Sequence, residues 1–170
     1  YPELGKGPVP VEPYISPEYY AREKEHIFKK TWLEVGRVEE IPNAGDYMVK
    51  ELACADASII VVRNKKGQIN AMHNVCSHRV NQIAYEKCGT TRKFSCKFHG
   101  WAFDLDGNLT GVPEEESFFD LDKSANGLAR VACEIWQGFI FINMQAQPAQ
   151  SLEITSSPCS VRSKVTPSKN

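Results

Sequence analysis

The sequence predicts a mostly β protein, an antiparallel β-sandwich or small barrel preceded by one helix. Three observations predict it. From Leu33 onward, apolar residues recur at strand period in eight short runs. Glycine-bearing turns separate several of these runs. Upstream, one segment carries the start signals of a helix. The 170 residues suffice for one real core and fall short of two full catalytic domains.

The opening YPELGKGPVPVEPYI is too rich in proline and glycine for regular structure and reads as an extended arm. At Ser16-Pro17-Glu18 a helix start follows: a hydroxyl cap, proline at the first helical position, and an acid where the helix dipole favours it. The helix runs through EYYAREKEHIFKKTW, with Tyr20, Ile27, Phe28 and Trp32 as an inward stripe and His26 as an ordinary surface residue. Arm and helix occupy residues 1–33 and the β domain 34–144. Its predicted strands lie in LEVGRV, DYMVKEL, ASIIVVRN, INAMHNV, KFSC, WAFDLDG, LARVACEIW and GFIFINM. Asn43-Ala44-Gly45, Lys65-Lys66-Gly67 and Asp106-Gly107-Asn108 supply turn residues that tolerate positive φ. Residues 145–170, rich in serine, proline and lysine without a sustained period, read as a disordered tail.

Charge is balanced, with 20 basic and 21 acidic side chains, so no electrostatic field argues for nucleic acid or an anionic membrane. The longest apolar runs, Ile59-Ile60-Val61-Val62 and Phe139-Ile140-Phe141-Ile142, are strand-sized and far below the roughly 20 residues of a membrane helix. With no basic-then-apolar leader, a cytoplasmic location is expected, for a chain that begins on tyrosine and reads as a fragment. Six cysteines do not form a secreted disulfide pattern, and Cys54, Cys88, Cys133 and Cys159 read as small buried or tolerated thiols.

The chemistry concentrates in HNVCSHRVNQIAYEKCGTTRKFSCKFHGW, residues 73–101, which holds Cys76-x-His78 and Cys96-x-x-His99. Thiolate and imidazole bind borderline and soft metals, and a pair one or two residues apart lets one loop offer two ligands. Two such loops close a site. Two Cys and two His could hold a tetrahedral structural zinc, but each cluster mixes one Cys with one His in a β context, unlike a zinc finger. His73, just before the first cluster, has the bland reading of a structural or solvated residue.

These four residues resemble the ligand signature of the Rieske iron–sulfur family, Cys-x-His followed after a spacer by Cys-x-x-His. The resemblance extends to the Rieske domain of the large (alpha) subunit of ring-hydroxylating non-haem iron oxygenases, which include aromatic-ring dioxygenases. YYAREKEHIFKKTW, EIPNAGDYMVKEL, HNVCSHR, CKFHGWAFDLDGNLTGVP and GFIFINM look like its successive landmarks. It implies a Rieske-type fold and a [2Fe–2S] cluster with Cys76 and Cys96 on one iron and His78 and His99 on the other. Neutral histidines in place of two thiolates make that iron easier to reduce than in an all-cysteine ferredoxin.

Rieske proteins of respiratory and photosynthetic complexes carry an additional disulfide between their ligand loops; Asn81 and Phe98 stand at the matching places here. Fewer donors to the sulfurs predict a potential in the lower part of the Rieske range. The resemblance implies a ferredoxin or flavin reductase as electron donor. It implies as acceptor a mononuclear Fe(II) in an oxygenase catalytic domain or a neighbouring alpha subunit, with His78 and His99 as the electron exit. Arg79 continues the family pattern, but Val80 replaces its usual glycine, and a β-branched residue disfavours positive φ. The last histidine is His99, so a two-histidine, one-carboxylate oxygenase site cannot be assembled beside the cluster. Electron transfer is therefore expected without hydroxylation by this chain alone. The alternatives are an autonomous Rieske ferredoxin, which the helix and proline arm disfavour, and a structural zinc module.

Overall fold

The computed structural model describes residues 5–153. Among them are ten strands: β1 (Leu33–Arg37), β2 (Asp46–Leu52), β3 (Ala57–Arg63), β4 (Ile69–His73), β5 (Cys88–Thr90), β6 (Phe94–Ser95), β7 (Ala102–Phe103), β8 (Leu109–Gly111), β9 (Arg130–Trp136) and β10 (Phe139–Asn143). Seven form one sheet in the order β1-β10-β9-β4-β3-β2-β5, and three form a second, β6-β7-β8. Every pairing is antiparallel. The protein is mostly β, as its strand-period pattern predicts. All eight predicted runs contain a strand, and β5 and β8 are additional. Each has only three residues, too short to display a period.

Strand β3 explains why the large sheet serves two cores. Ile60 and Val62 face one way, toward Phe94, Phe103 and Leu109 of the small sheet; Ile59 and Val61 face the other, toward Val35, Ile140 and Ile142. Side chains alternate across a strand, so an unbroken apolar run must be covered on both faces. The small sheet and the cluster-bearing loops cover the first face. Cys76, Cys96 and Trp101 belong to that same core.

A polar clamp joins the hairpin of the small sheet to that of the large one. The Asp106 carboxylate, in the β7–β8 turn, accepts from Asn64 Nδ2 and Asn70 Nδ2, each at 2.7 Å. Asn64 is fully buried at the β3–β4 turn, where its own side-chain oxygen accepts from the backbone of Lys66 and Gln68. The Asn64 amide, then Asn70 and the nearby Arg130 and Lys66, hold the Asp106 carboxyl below the ordinary range. Gly45, Gly67 and Gly107 all take positive φ, in keeping with the predicted turns.

The helix departs from expectation. Ser16 caps it, its oxygen accepting from Tyr19 N–H, but the α-helix spans only Pro17–Glu23 and continues as a π-helical turn, Lys24–Phe28. Within the wider turn Ile27 leaves the predicted stripe, while Phe28 and Trp32 stay half-buried. Tyr20 and Ile27 are exposed, and neither segment contains a buried residue. Polar contacts tie this region down: Lys24 to Asp56, and the Asn143 amide to the Lys30 carbonyl. His26 is exposed, as read. A separate short helix, Glu12–Ile15, lies within the stretch expected to be an extended arm.

Of the stretch expected as a tail, residues 145–153 lie within the described region and 154–170, with Cys159, outside it. Leu152 is buried, its N–H donates to Glu134, and the Gln150 carbonyl accepts from Trp32 Nε1.

Replacing Asp106 with Ala removes the shared acceptor of two amides, one of them fully buried, and should cost about 1–3 kcal/mol in denaturant unfolding. Because its folded pKa is depressed, the carboxylate's contribution is present above the unfolded value near pH 4 and lost as pH falls through the folded one. The stability gap between wild type and Asp106→Ala should therefore narrow below about pH 4.

Candidate metal centre

Two loops of matching design present the predicted ligands. In the first, Cys76 N–H donates to the Asn81 carbonyl at 2.7 Å and Val80 N–H donates to the Cys76 carbonyl at 3.0 Å. In the second, Cys96 N–H donates to the Trp101 carbonyl at 2.8 Å and Gly100 N–H to the Cys96 carbonyl at 2.9 Å. Both loops thus close on their cysteine from the fourth and fifth residues onward. Closure puts the fourth residue in the left-handed region, with φ of 73° at Gly100 and 49° at Val80.

The two positions differ in surroundings. A Cβ on Gly100 would lie 2.8 Å from Pro113 Cγ, so glycine is required there by both backbone and space. Val80 is 82% exposed and meets no such wall, so the loop forms with valine despite the conformational cost.

Buried Asn74 fastens the first loop at its base. Its oxygen accepts from Ile83 N–H and Ala84 N–H, and its amide donates to the Ala84 carbonyl and to Ser58 Oγ. The Val75–Gln82 bridge adds a rung between the loop's arms. A lone asparagine beside the cysteine–histidine cluster gave no signal in sequence, because its three partner residues lie 9–16 positions away.

The loops bring all four predicted site residues together, in two like pairs. Cys76 and Cys96 are 1% and 3% exposed and face each other, the Cys76 thiol toward the Cys96 sulfur. The imidazoles of His78 and His99 meet edge-on, centroids 4.7 Å apart. His78 is stacked on Trp101 at 4.6 Å with the rings 8° from parallel, and Phe118 edges against both. Phe118, from an acidic, turn-rich segment, is a contact that no sequence motif signalled. His73 takes no part in these ring contacts; it lies on β4, its N–H bonded to the Ala129 carbonyl.

Each sulfur accepts from its own loop, Cys76 from the N–H groups of His78 and Arg79, Cys96 from those of Phe98 and His99. Burial pushes the Cys76 thiol up. Burial also raises Cys96, but its two N–H donors, with the Cys76 thiol and the Asn81 amide, outweigh it and hold Cys96 below the ordinary value. The His78 imidazole is pushed down by burial, then by the positive potential of His99 and Arg79. Its Nδ1 is buried without a hydrogen-bond partner. A buried, unpartnered imidazole nitrogen beside a second imidazole and two buried sulfurs fits a metal-bound group. Among the described residues, no three His, Cys, Asp or Glu side chains are grouped to hold one ion.

The other described cysteines play no part in this arrangement. Cys88 is exposed and Cys54 half-buried, while burial, then Glu134, pushes the half-buried Cys133 thiol up to about 12.

In comparison with known proteins, the sequence matches a family model, the Rieske [2Fe–2S] domain, over residues 31–133. The chain belongs to the Rieske [2Fe–2S] domain family. It is 38% identical over 134 residues to the alpha subunit of biphenyl 2,3-dioxygenase of Rhodococcus jostii, covering 78% of this chain and 29% of that one. It is 35% identical over 136 residues to the oxygenase subunit of carnitine monooxygenase of Escherichia coli, covering 80% and 36%. Among solved structures, naphthalene 1,2-dioxygenase of a Rhodococcus species superposes with a TM-score of 0.80 at 32% identity, covering 86% of this Rieske chain and 33% of that chain. A quaternary ammonium Rieske monooxygenase superposes at 0.83 and 28%, covering 91% and 44%. The chain thus spans about a third of the length of the curated relatives it matches.

Val80→Gly should stabilise this Rieske chain by about 0.5–1 kcal/mol. Relief of a left-handed β-branched residue, about 1–2 kcal/mol, is offset by glycine's unfolded-state entropy of about 0.5–1. Gly100→Ala should destabilise by about 1–3 kcal/mol, since the same backbone position there meets Pro113. Chemical denaturation of the two variants checks both signs.

Proposed function

We propose that this chain carries single electrons through a [2Fe–2S] cluster held by Cys76, Cys96, His78 and His99, as the Rieske domain, residues 34–144, of an oxygenase large subunit. The observation that carries the reading is the orphaned, buried Nδ1 of His78, set beside His99 and next to a pair of buried cysteines. Cys76 and Cys96 would hold one iron and His78 and His99 the other, matching the separation of the four side chains into two like pairs. That separation favours a two-metal centre over one tetrahedral zinc. When bound, the cluster supplies a one-electron store of modest potential.

The chain's own residues determine how that store is held. Backbone N–H groups from both loops and the Asn81 amide meet the sulfurs. Trp101 and Phe118 fix the His78 ring and limit water around it. Phe98, 60% exposed, and Val80 present an apolar tip beside exposed Arg79 and Lys97. A tip of this kind suits brief docking of an acidic protein, in keeping with a ferredoxin or flavin reductase as donor. The acceptor is the mononuclear iron of an oxygenase catalytic domain, in the same or a neighbouring alpha subunit. No helix among the described residues is long and apolar enough to cross a membrane, and balanced charge offers nucleic acid no attractive field. The relatives are named for substrates as unlike as biphenyl, glycine betaine and carnitine, so the Rieske portion does not specify the substrate.

Anaerobically prepared protein should contain two irons and two labile sulfides, absorb in the visible and give a rhombic EPR signal on reduction, with a potential low in the Rieske range. A colourless chain with a single zinc would refute the reading. Reduction by an acidic ferredoxin should slow with added salt, and Lys97→Glu should slow it about threefold to tenfold at low ionic strength in stopped-flow traces.

A further inference from the structure

We propose that Asn81 sets the redox level of this centre by donating a side-chain N–H···S hydrogen bond from the first ligand loop to the Cys96 sulfur of the second. The role rests on Cys96 being an iron ligand, as argued above. Asn81 Nδ2 lies 3.8 Å from Cys96 Sγ, within hydrogen-bond range for a sulfur acceptor. The orientation of the amide is fixed by its neighbours. Nδ2 is also 2.9 Å from the Gln82 carbonyl oxygen, which can only accept, so the nitrogen and not the oxygen must stand there. The Tyr85 hydroxyl, 2.9 Å from the same nitrogen, keeps the amide from swinging out to solvent; with two hydrogens facing three acceptors, the 3.8 Å contact to Sγ is the long arm of a shared hydrogen bond. Lys97 in turn caps the Tyr85 ring, its ammonium 4.3 Å from the centroid.

The bond is asymmetric between the two sulfurs. Cys76 draws on backbone N–H groups alone, its own thiol donating to Cys96, whereas Cys96 has the Asn81 amide besides its own pair of backbone donors. An added electron would make the cluster as a whole more negative, so a donor to a cysteine sulfur would stabilise the reduced form more than the oxidised one. Asn81 occupies the place at which other Rieske proteins carry a disulfide cysteine. The loss of donors expected from that substitution is thereby partly made good by the amide.

The test uses the full chain with its cluster, verified by iron and sulfide content and the rhombic EPR signal, and reads the midpoint potential in a mediator titration. Asn81→Leu, which keeps the bulk and removes the donor, should weaken the preference for the added electron about tenfold, a fall of about 59 mV for one electron. Asn81→Asp keeps the shape, removes the N–H and adds a negative charge, and should fall further. Fe–S stretching bands should shift less on transfer to D2O in Asn81→Leu than in wild type. A purely structural asparagine would change cluster loading or thermal stability while the loaded fraction kept the wild-type potential; that result in either variant overturns the proposal. A wild-type chain without iron and sulfide would instead overturn the cluster reading itself, and the Asn81 role with it.

Discussion

Two sulfurs buried side by side are the constraint on which the rest depends. A thiolate in an apolar interior is costly unless hydrogen-bond donors surround it. The chain meets that demand with backbone rather than charge. Each ligand loop folds back so that the N–H groups two and three residues beyond the cysteine point at its sulfur, and the fourth residue must then turn left-handed to close the loop. Glycine at position 100 and valine at position 80 are two answers to one geometric requirement. Only the walled-in position excludes a side chain.

The loops hold their relation because they leave a rigid base. Cys76 and Cys96 lie in the same apolar cluster as Ile60, Val62 and Met72 of the large sheet and Phe103 and Leu109 of the small one. Asn74 ties the return arm of the first loop to the end of β4, and the Asp106 clamp fastens the hairpin following the second loop to the β3–β4 turn. His78 and His99, the histidines proposed as ligands, are therefore presented at a fairly open tip by a closed foundation. Such a division suits a group that must be shielded from water while its edge remains within reach of a partner.

Much of this was legible in the chain. Strand period marks β1 to β4, β6, β7, β9 and β10, and glycine marks the turns, because both signals are local. Cys76, His78, Cys96 and His99 are legible for a different reason: their residue types and close spacing have few other uses. The long-range polar anchors were not. Asp106 reads as a turn residue, Asn74 as an ordinary strand end and Asn81 as a missing cysteine, yet they act on groups 42, 16 and 15 positions away. The helix failed differently. A helical stripe assumes constant pitch, and the π turn at Lys24–Phe28 breaks that assumption without leaving a proline or glycine behind.

Cys133, on β9, adds a practical corollary. With its thiol pushed up to about 12 by burial, little thiolate forms at neutral pH. Alkylating dyes and peroxide should largely ignore it, whereas Cys88 stands open to both. A fluorophore attached through Cys88 would label the edge strand β5 of the large sheet and leave β9 unmarked, giving a reporter site that needs no engineered cysteine.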